Sequence, residues 1–234
     1  MTDNAIIEIA KAKQEIAKTA GKAIDAASGF GNFCEKVFGD LLQDSIGLVA
    51  DRMKYFRDSQ LEKLQQKTEE KLKIKNVEQT RPVHPNIGIP LIQEAGLVED
   101  NYLQSKWASL LANAMNPNYS EKIKRRFVTI LADVEPIEAK IMQTLFDSIT
   151  VGQLNTSLLI DSTKVQSHLK ISASETVLAL RNLLRLGLIK PGVVEIKTEG
   201  TLEIKGGFSL SSYQGIRLFQ ITELGLEFSK AIAD

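Results

Sequence analysis

The hydrophobic and polar positions of the first 75 residues follow helical spacing. Apolar residues recur at steps of three and four over 4–28 and again over 33–75, with glycines between the two stretches. The second stretch ends in a charged, Gln-rich run with a narrow apolar stripe formed by Leu61, Leu64 and Leu72. This pattern predicts a helical hairpin or long helix over residues 1–80. Its apolar stripe exceeds the need of a hairpin and favours a homo-oligomer.

Residues 81–150 contain a second set of helical patterns. Three prolines and a glycine within 76–90 predict a linker that leads into them. Asp100, Ser120 and Pro136 predict the starts of three helices. The side chains expected to form the core of this central helical unit are Trp107, Leu110, Leu111, Phe127, Ile130 and Ile141.

The last part of the chain, 151–234, changes from helical to strand-like spacing and back. Asp161 is the expected cap of a short helix, a serine-containing turn follows, and Gly187 is the expected stop of a second helix. Short alternating strands come next, and Thr222 is the expected cap of a final helix. A helix, a tight turn, a helix, strands and a helix in this order predict a winged-helix-like domain.

Together these patterns predict a mainly α protein with a small β component. A helical N-terminal and central domain, over 1–80 and 81–150, would be followed by the winged-helix-like C-terminal domain over 151–234.

Charge argues against a strongly basic surface. The chain has 29 basic and 29 acidic residues, and each of the three segments is balanced to within one charge. A domain that binds nucleic acid usually has a basic excess. Two sets of cations remain candidates for contact with phosphate or nucleic acid: a cluster, Lys122, Lys124, Arg125 and Arg126, and a pair, Arg181 and Arg185, on the second helix of the winged-helix-like domain. A solvated helix face is the simpler interpretation, so nucleic-acid binding is not favoured.

A membrane role is a further alternative. No apolar run approaches the roughly 18–20 residues that span a bilayer. A Gly-rich segment over residues 20–56 could still lie in a membrane interface, with Phe30, Phe33 and Phe38 as the inserting side chains. One cysteine and no signal-type segment favour a reducing compartment. We therefore expect a cytoplasmic protein, with peripheral membrane association as the alternative.

Catalytic chemistry has no obvious residue set in this sequence. The two histidines, His84 and His168, are far from each other and from Cys34, and no metal-ligand spacing occurs. We expect His84 in a loop, His168 as a partly buried hydrogen-bonded side chain, and Cys34 as a packing residue. Glu138 is expected to support a helix start. The sequence thus predicts no enzyme and no cofactor or metal.

Three motifs lie in the middle of the chain: the run from Trp107 to Met115 (WASLLANAM), the run FVTIL that begins at Phe127, and the run PIEAKI that begins at Pro136. Together they resemble the abortive-infection alpha family of bacterial proteins associated with phage defence. The resemblance implies a role in stopping phage propagation. It supplies no catalytic residues.

Three functions therefore compete. The first is a non-enzymatic anti-phage protein that binds or senses a phage component or a partner protein through its helices and winged helix. The second is a winged-helix DNA-binding transcriptional regulator. The third is a membrane-associating effector that acts through residues 20–56.

Overall fold

The computed structural model describes residues 30–39, 58–151, 159–192, 194–198, 201–205 and 218–233. The helix predicted over 4–28 lies outside these residues. The described part is mainly helical, with a small antiparallel sheet of three strands and a separate two-stranded ladder. In chain order its elements are α1 (Phe30–Phe38), α2 (Asp58–Ile74), α3 (Pro85–Leu97), α4 (Asn101–Met115), α5 (Arg125–Ala132), α6 (Pro136–Val151), β1 (Ile160–Asp161), α7 (Ser162–Leu169), α8 (Ala173–Arg185), β2 (Ile189–Pro191), β3 (Val194–Thr198), β4 (Thr201–Lys205), β5 (Leu218–Ile221) and α9 (Glu223–Ile232).

Contacts divide the chain into two compact units between Ala132 and Asp133. The first unit contains α1 to α5, and the second contains α6 to α9 with all five strands. Helix α6 therefore belongs with the C-terminal elements. Ile141 on this helix is buried within the second unit, whereas Trp107 and Phe127 are buried within the first.

Helix α4 is the buried centre of the first unit. From Leu103 to Met115 every residue except Ser105 is buried. Lys67 Nζ donates to Asn101 O at 2.8 Å near the start of α4, and Lys75 Nζ, just after the end of α2, donates to Asn113 Oδ1 near the end of α4 at 2.8 Å. These two contacts show that α2 runs parallel to α4. The stripe Leu61, Leu64 and Leu72 of α2 is buried within the chain. Homo-oligomer formation stays a prediction.

The predicted linker over 76–90 is wrong in its second half, because α3 begins at Pro85. Proline fits the first helical position, where no backbone N–H is needed, and the His84 ring accepts a hydrogen bond from Asn86 N at 3.3 Å as the N-cap. The residues before α3 are also fastened to the unit. Arg81 N donates to Met115 O at 2.7 Å and Val83 N to Val37 O at 2.7 Å.

A continuous helix over 33–75 is also contradicted, since α1 ends at Phe38. Gly39 has φ of 54°, a left-handed conformation that stops a helix and that glycine adopts without strain. Gly88 of α3 packs so closely against the Phe38 ring that a Cβ there would overlap it. Helix α1 therefore packs against α3 through a glycine.

Helix α5 begins four residues later than predicted, at Arg125 and not directly after Ser120. Residues 120–124 are non-helical, with Ile123 buried between exposed Lys122 and Lys124. The buried face of α5 consists of Phe127, Val128, Ile130 and Leu131.

The second unit combines four helices with the small sheet. Strand β5 lies between β1 and β2 and pairs antiparallel with both, with Ile160 opposite Phe219 and Ile189 opposite Ile221. Strands β3 and β4 form the antiparallel ladder, from the pair Val194 and Lys205 to the pair Thr198 and Thr201. Helix α6 packs against α7, α8 and α9.

The predicted caps of the second unit are all present. Asp161 Oδ1 accepts from Thr163 N at 2.8 Å at the start of α7, and Thr222 Oγ1 accepts from Gly225 N at 2.9 Å at the start of α9. Gly187 has φ of 73° after α8, as predicted for a helix stop. Thr222 Oγ1 also donates to Gly187 O at 2.7 Å, which joins the end of α8 to the start of α9.

Candidate interaction surfaces

The cluster of Lys122, Lys124, Arg125 and Arg126 lies on the surface of the first unit, where all four side chains are exposed. Ile123 and Phe127, between and beside them, are 7% and 2% exposed. Lys124 Nζ lies 5.7 Å from the centroid of the Phe127 ring, within the range of a cation–π contact. The structure thus places these four predicted residues together as one cationic surface.

Arg181 and Arg185 are both exposed on α8, in the second unit. Helix α8 begins with a capping box, in which Glu175 N donates to Ser172 Oγ at 3.2 Å and Ser172 N donates to Glu175 Oε2 at 2.9 Å. These hydrogen bonds from the Ser172 side chain and backbone lower the pKa of Glu175. The carboxylate at the start of α8 is therefore ionised and occupied by the cap.

The C-terminal end of α8 carries a polar network. Arg185 Nη2 forms an ion pair with Asp133 Oδ2 at 3.2 Å, and Arg185 Nε donates to Asn182 Oδ1 at 2.9 Å. Asn182 Nδ2 donates to Glu138 Oε2 at 2.8 Å and to Asp133 O at 3.0 Å. Of the two predicted arginines, Arg185 is therefore engaged within the unit.

Glu138 is the buried member of this network and holds the start of α6. Its Oε2 accepts from Glu135 N at 2.9 Å, which confirms the predicted support of a helix start. Burial raises the pKa of Glu138, and the hydrogen bonds from Glu135 N and Asn182 oppose this shift without cancelling it. The same carboxylate thus connects α6 to α8.

Leu178, an apolar residue whose exposure was not predicted from the sequence, lies on α8 between the start of the helix and the two arginines. Leu178 is 65% exposed, and it shares the outward face of α8 with Ser174 and Arg181, which are four residues before and three residues after it. A helical wheel of α8 would have revealed it, because Leu178 falls on the polar face, opposite the buried Ala179, Leu180 and Leu183.

Two of the three aromatic residues proposed for membrane contact are buried in the first unit. Phe33 and Phe38 are 1% and 0% exposed. The side chain of Phe30 lies outside the described residues. Cys34 is also buried, and burial raises the pKa of its thiol to about 12, so it stays protonated at neutral pH. Insertion of Phe33 or Phe38 into a membrane would require α1 to leave this packing.

The histidines have separate surroundings. His84 caps α3, and His168 is exposed on α7, contrary to the expected partly buried position. Among the described residues no group of three or more His, Cys, Asp or Glu side chains is arranged to hold a metal ion. No helix in the described ranges is both long enough and apolar enough to cross a membrane.

Of the comparisons with known proteins, one gives a match. No curated protein and no solved structure matches the chain. The family described as "Abortive infection alpha" matches residues 57–232, which include every described element from α2 to α9. Since the match covers most of the sequence, this chain belongs to the abortive infection alpha family.

Proposed function

We propose that this protein is a non-enzymatic component of abortive-infection-type phage defence that binds a partner protein or a phage component. Membership in the abortive infection alpha family supports the defence role. The observation that carries the binding role is the exposed Leu178 at the centre of the outward face of α8. A large apolar side chain rimmed by polar and cationic residues is typical of a protein-binding surface.

The second unit would act as a winged-helix module. Helix α6, strand β1, helices α7 and α8, strand β2, the β3–β4 ladder and strand β5 follow one another in the order of such modules. In this interpretation α8 corresponds to the helix that usually contacts a ligand. Its N-terminus is fixed by the capping box and its C-terminus by the Asn182 network.

The surroundings of α8 favour a protein ligand over DNA. Base and phosphate contacts need free cations and hydrogen-bonding groups on the helix. Arg185 is paired with Asp133, so Arg181 is the arginine of α8 that no described residue engages. Leu178 occupies the same face and can neither pair with a phosphate nor hydrogen-bond to a base edge.

One observation favours DNA binding as the second candidate. Beside the paired Arg185, the segment 159–192 has four exposed cations, Lys164, Lys170, Arg181 and Lys190, against Asp161 and Glu175, which are both occupied by helix caps. Gel-shift measurements at low and moderate salt test it, because phosphate attraction is strongest at low salt. Absence of binding at low salt would exclude this candidate.

Phage plating on cells with and without the gene tests the defence role. We expect reduced plating of a susceptible phage, and equal plating across a broad panel would contradict the proposal. The binding role is tested with Leu178→Glu, which should restore plating. Leu97→Glu is the matched control, since Leu97 is 64% exposed on α3 in the first unit.

Both variants should fold normally, because leucine and glutamate have similar helix propensities and surface changes usually alter stability by less than about 0.5 kcal/mol. Melting curves measured by circular dichroism check this. If Leu178→Glu defends as well as the wild type, the outward face of α8 is not the binding surface.

A further inference from the structure

The most cationic surface of the described chain is the 122–126 cluster, formed by Lys122, Lys124, Arg125 and Arg126. Its four side chains are exposed within five consecutive positions, and the apolar residues of the segment, Ile123 and Phe127, are turned inward. Every exposed side chain of this short stretch is therefore a cation.

The cations of the cluster lie at the N-terminus of α5, where positive charge is unfavourable. Arg125 is the first residue of α5, whose first turn has no acidic residue, and Lys124 immediately precedes the helix. Lysine has no hydrogen-bond acceptor, and a helix N-terminus already carries partial positive charge. Glu138, Glu175 and Glu223 occupy the first turns of α6, α8 and α9. Helices α3, α4 and α7 have no acidic residue in the first turn, but the side chains of His84, Asp100 and Asp161 cap them.

Contacts within the protein do not offset this arrangement. Lys122, Arg125 and Arg126 form no hydrogen bond or ion pair with the described residues. Lys124 lies beside the Phe127 ring. Three of the four cations thus remain directed to solvent at a helix end that they destabilise. A local feature that lowers stability without an internal gain indicates a functional site.

We propose that the 122–126 cluster binds the phosphate backbone of nucleic acid. Exposed Lys and Arg side chains that are adjacent in sequence suit a line of phosphates, and they contact the backbone without reading the base sequence. A membrane surface fits less well, because interfacial segments insert apolar side chains and those of this segment are buried. This binding is independent of the proposed protein contact through α8.

The number of cations sets the salt dependence. Four phosphate contacts give a slope of about −3.6 for the logarithm of the binding constant against the logarithm of salt concentration on B-form DNA. Between about 50 and 200 mM salt the affinity should then fall roughly 150-fold. Binding should be weak at physiological salt and measurable at low salt.

Fluorescence polarisation of the full chain with a labelled DNA duplex of about 20 base pairs, and with an RNA duplex of the same length, tests the proposal. The variant Lys122→Gln/Arg125→Gln/Arg126→Gln should flatten the slope by about 2.7 on DNA, one contact's share for each cation removed. The variant Lys164→Gln/Lys170→Gln/Lys190→Gln is the matched control. It removes the same charge from exposed positions of the second unit and should keep most of the binding.

Three results would overturn the proposal. One is equal loss of binding in both triple variants, which would show a dependence on net charge alone. Another is loss only in the control variant, which would assign the binding to the second unit. The third is absence of duplex binding at low salt, whether or not the chain co-sediments with anionic vesicles.

Thermal stability provides a second readout. If the cations oppose the α5 dipole, Arg125→Gln/Arg126→Gln should raise the Tm by roughly 1–4 °C while weakening duplex binding. A lowered Tm would show that the arginines stabilise the fold, and it would remove the reason for assigning them a ligand.

Discussion

Trp107 of α4 is the side chain on which the first unit should depend most. It is 1% exposed and is among the largest fully buried side chains of the described chain. Truncation of a buried Trp to Ala usually costs about 3–5 kcal/mol, because it removes apolar contacts and leaves a cavity. We expect a loss in this range for Trp107→Ala, in the unfolding transition of the first unit.

The indole N–H group of Trp107 allows the effect of the ring to be separated from that of a buried polar group. Trp107 Nε1 is buried without a hydrogen-bond partner. Burial of an unsatisfied donor costs about 1–3 kcal/mol, which Trp107→Phe would recover while it loses part of the ring contacts. The two terms oppose each other, so Trp107→Phe should cost less than about 2 kcal/mol. The large effect should therefore follow ring removal and not loss of the N–H group.

Urea unfolding followed by far-UV circular dichroism measures both variants. Fluorescence is unsuitable, because Trp107 is the only tryptophan of the chain. Leu97→Ala, at an exposed position of α3, is the control and should change stability by less than about 0.5 kcal/mol. A Trp107→Ala variant as stable as the wild type would refute the reasoning. If Trp107→Phe were as costly as Trp107→Ala, the role assigned to the N–H group would be wrong.

Two further predictions concern the second unit. The raised pKa of Glu138 means that its protonated form favours the fold, so this contribution is present at low pH and is lost as pH rises from the ordinary glutamate range, about 4.3, through the raised pKa. Glu138→Gln keeps an acceptor for Asn182 and should gain stability relative to the wild type as the pH rises from about 4 to about 7. A pH-independent difference between the urea midpoints of the two proteins would contradict this. Gly225→Ala should destabilise the unit by about 1–3 kcal/mol or more, because a Cβ there would overlap Leu188 O. Thermal melts compare it with Gly187→Ala, which introduces backbone strain at a positive φ. If the overlap outweighs this strain, Gly225→Ala has the lower Tm.

Helix starts and stops were the most predictable part of the fold. Asp100, Asp161 and Thr222 cap the helices that the sequence assigned to them. A cap depends on hydrogen bonds between a side chain and backbone two or three residues away, so a short window of sequence contains the information. Gly187 was predictable for the same reason, since its left-handed conformation closes α8 locally.

The errors arose where tertiary contacts override local signals. The prolines near residue 85 indicated a linker, yet Pro85 starts α3 and Pro90 lies inside it. In α4, Lys106 and Asn113 are 2% and 1% exposed although their residue types suggest a surface. Periodicity describes one helix at a time and cannot show that a helix is covered on all sides.

The candidate surfaces were predictable only in part. The 122–126 cluster was visible because its members are consecutive in sequence. The pairing of Arg185 with Asp133 was not, because the two residues are 52 positions apart. The exposure of Leu178 was not predicted, although the residue falls on the polar face of α8.

Net charge was the least informative property, because it weighs all carboxylates equally. In the segment 159–192 the Asp161 and Glu175 carboxylates accept hydrogen bonds from helix N-termini, so they contribute less to the field that a ligand meets than their number suggests. In α5 the opposite holds, since no carboxylate caps the helix and its cations add to the positive helix end. A balanced chain can therefore present cationic surfaces in both units. The two triple Lys/Arg variants distinguish them, because they change net charge equally and differ only in which surface loses it.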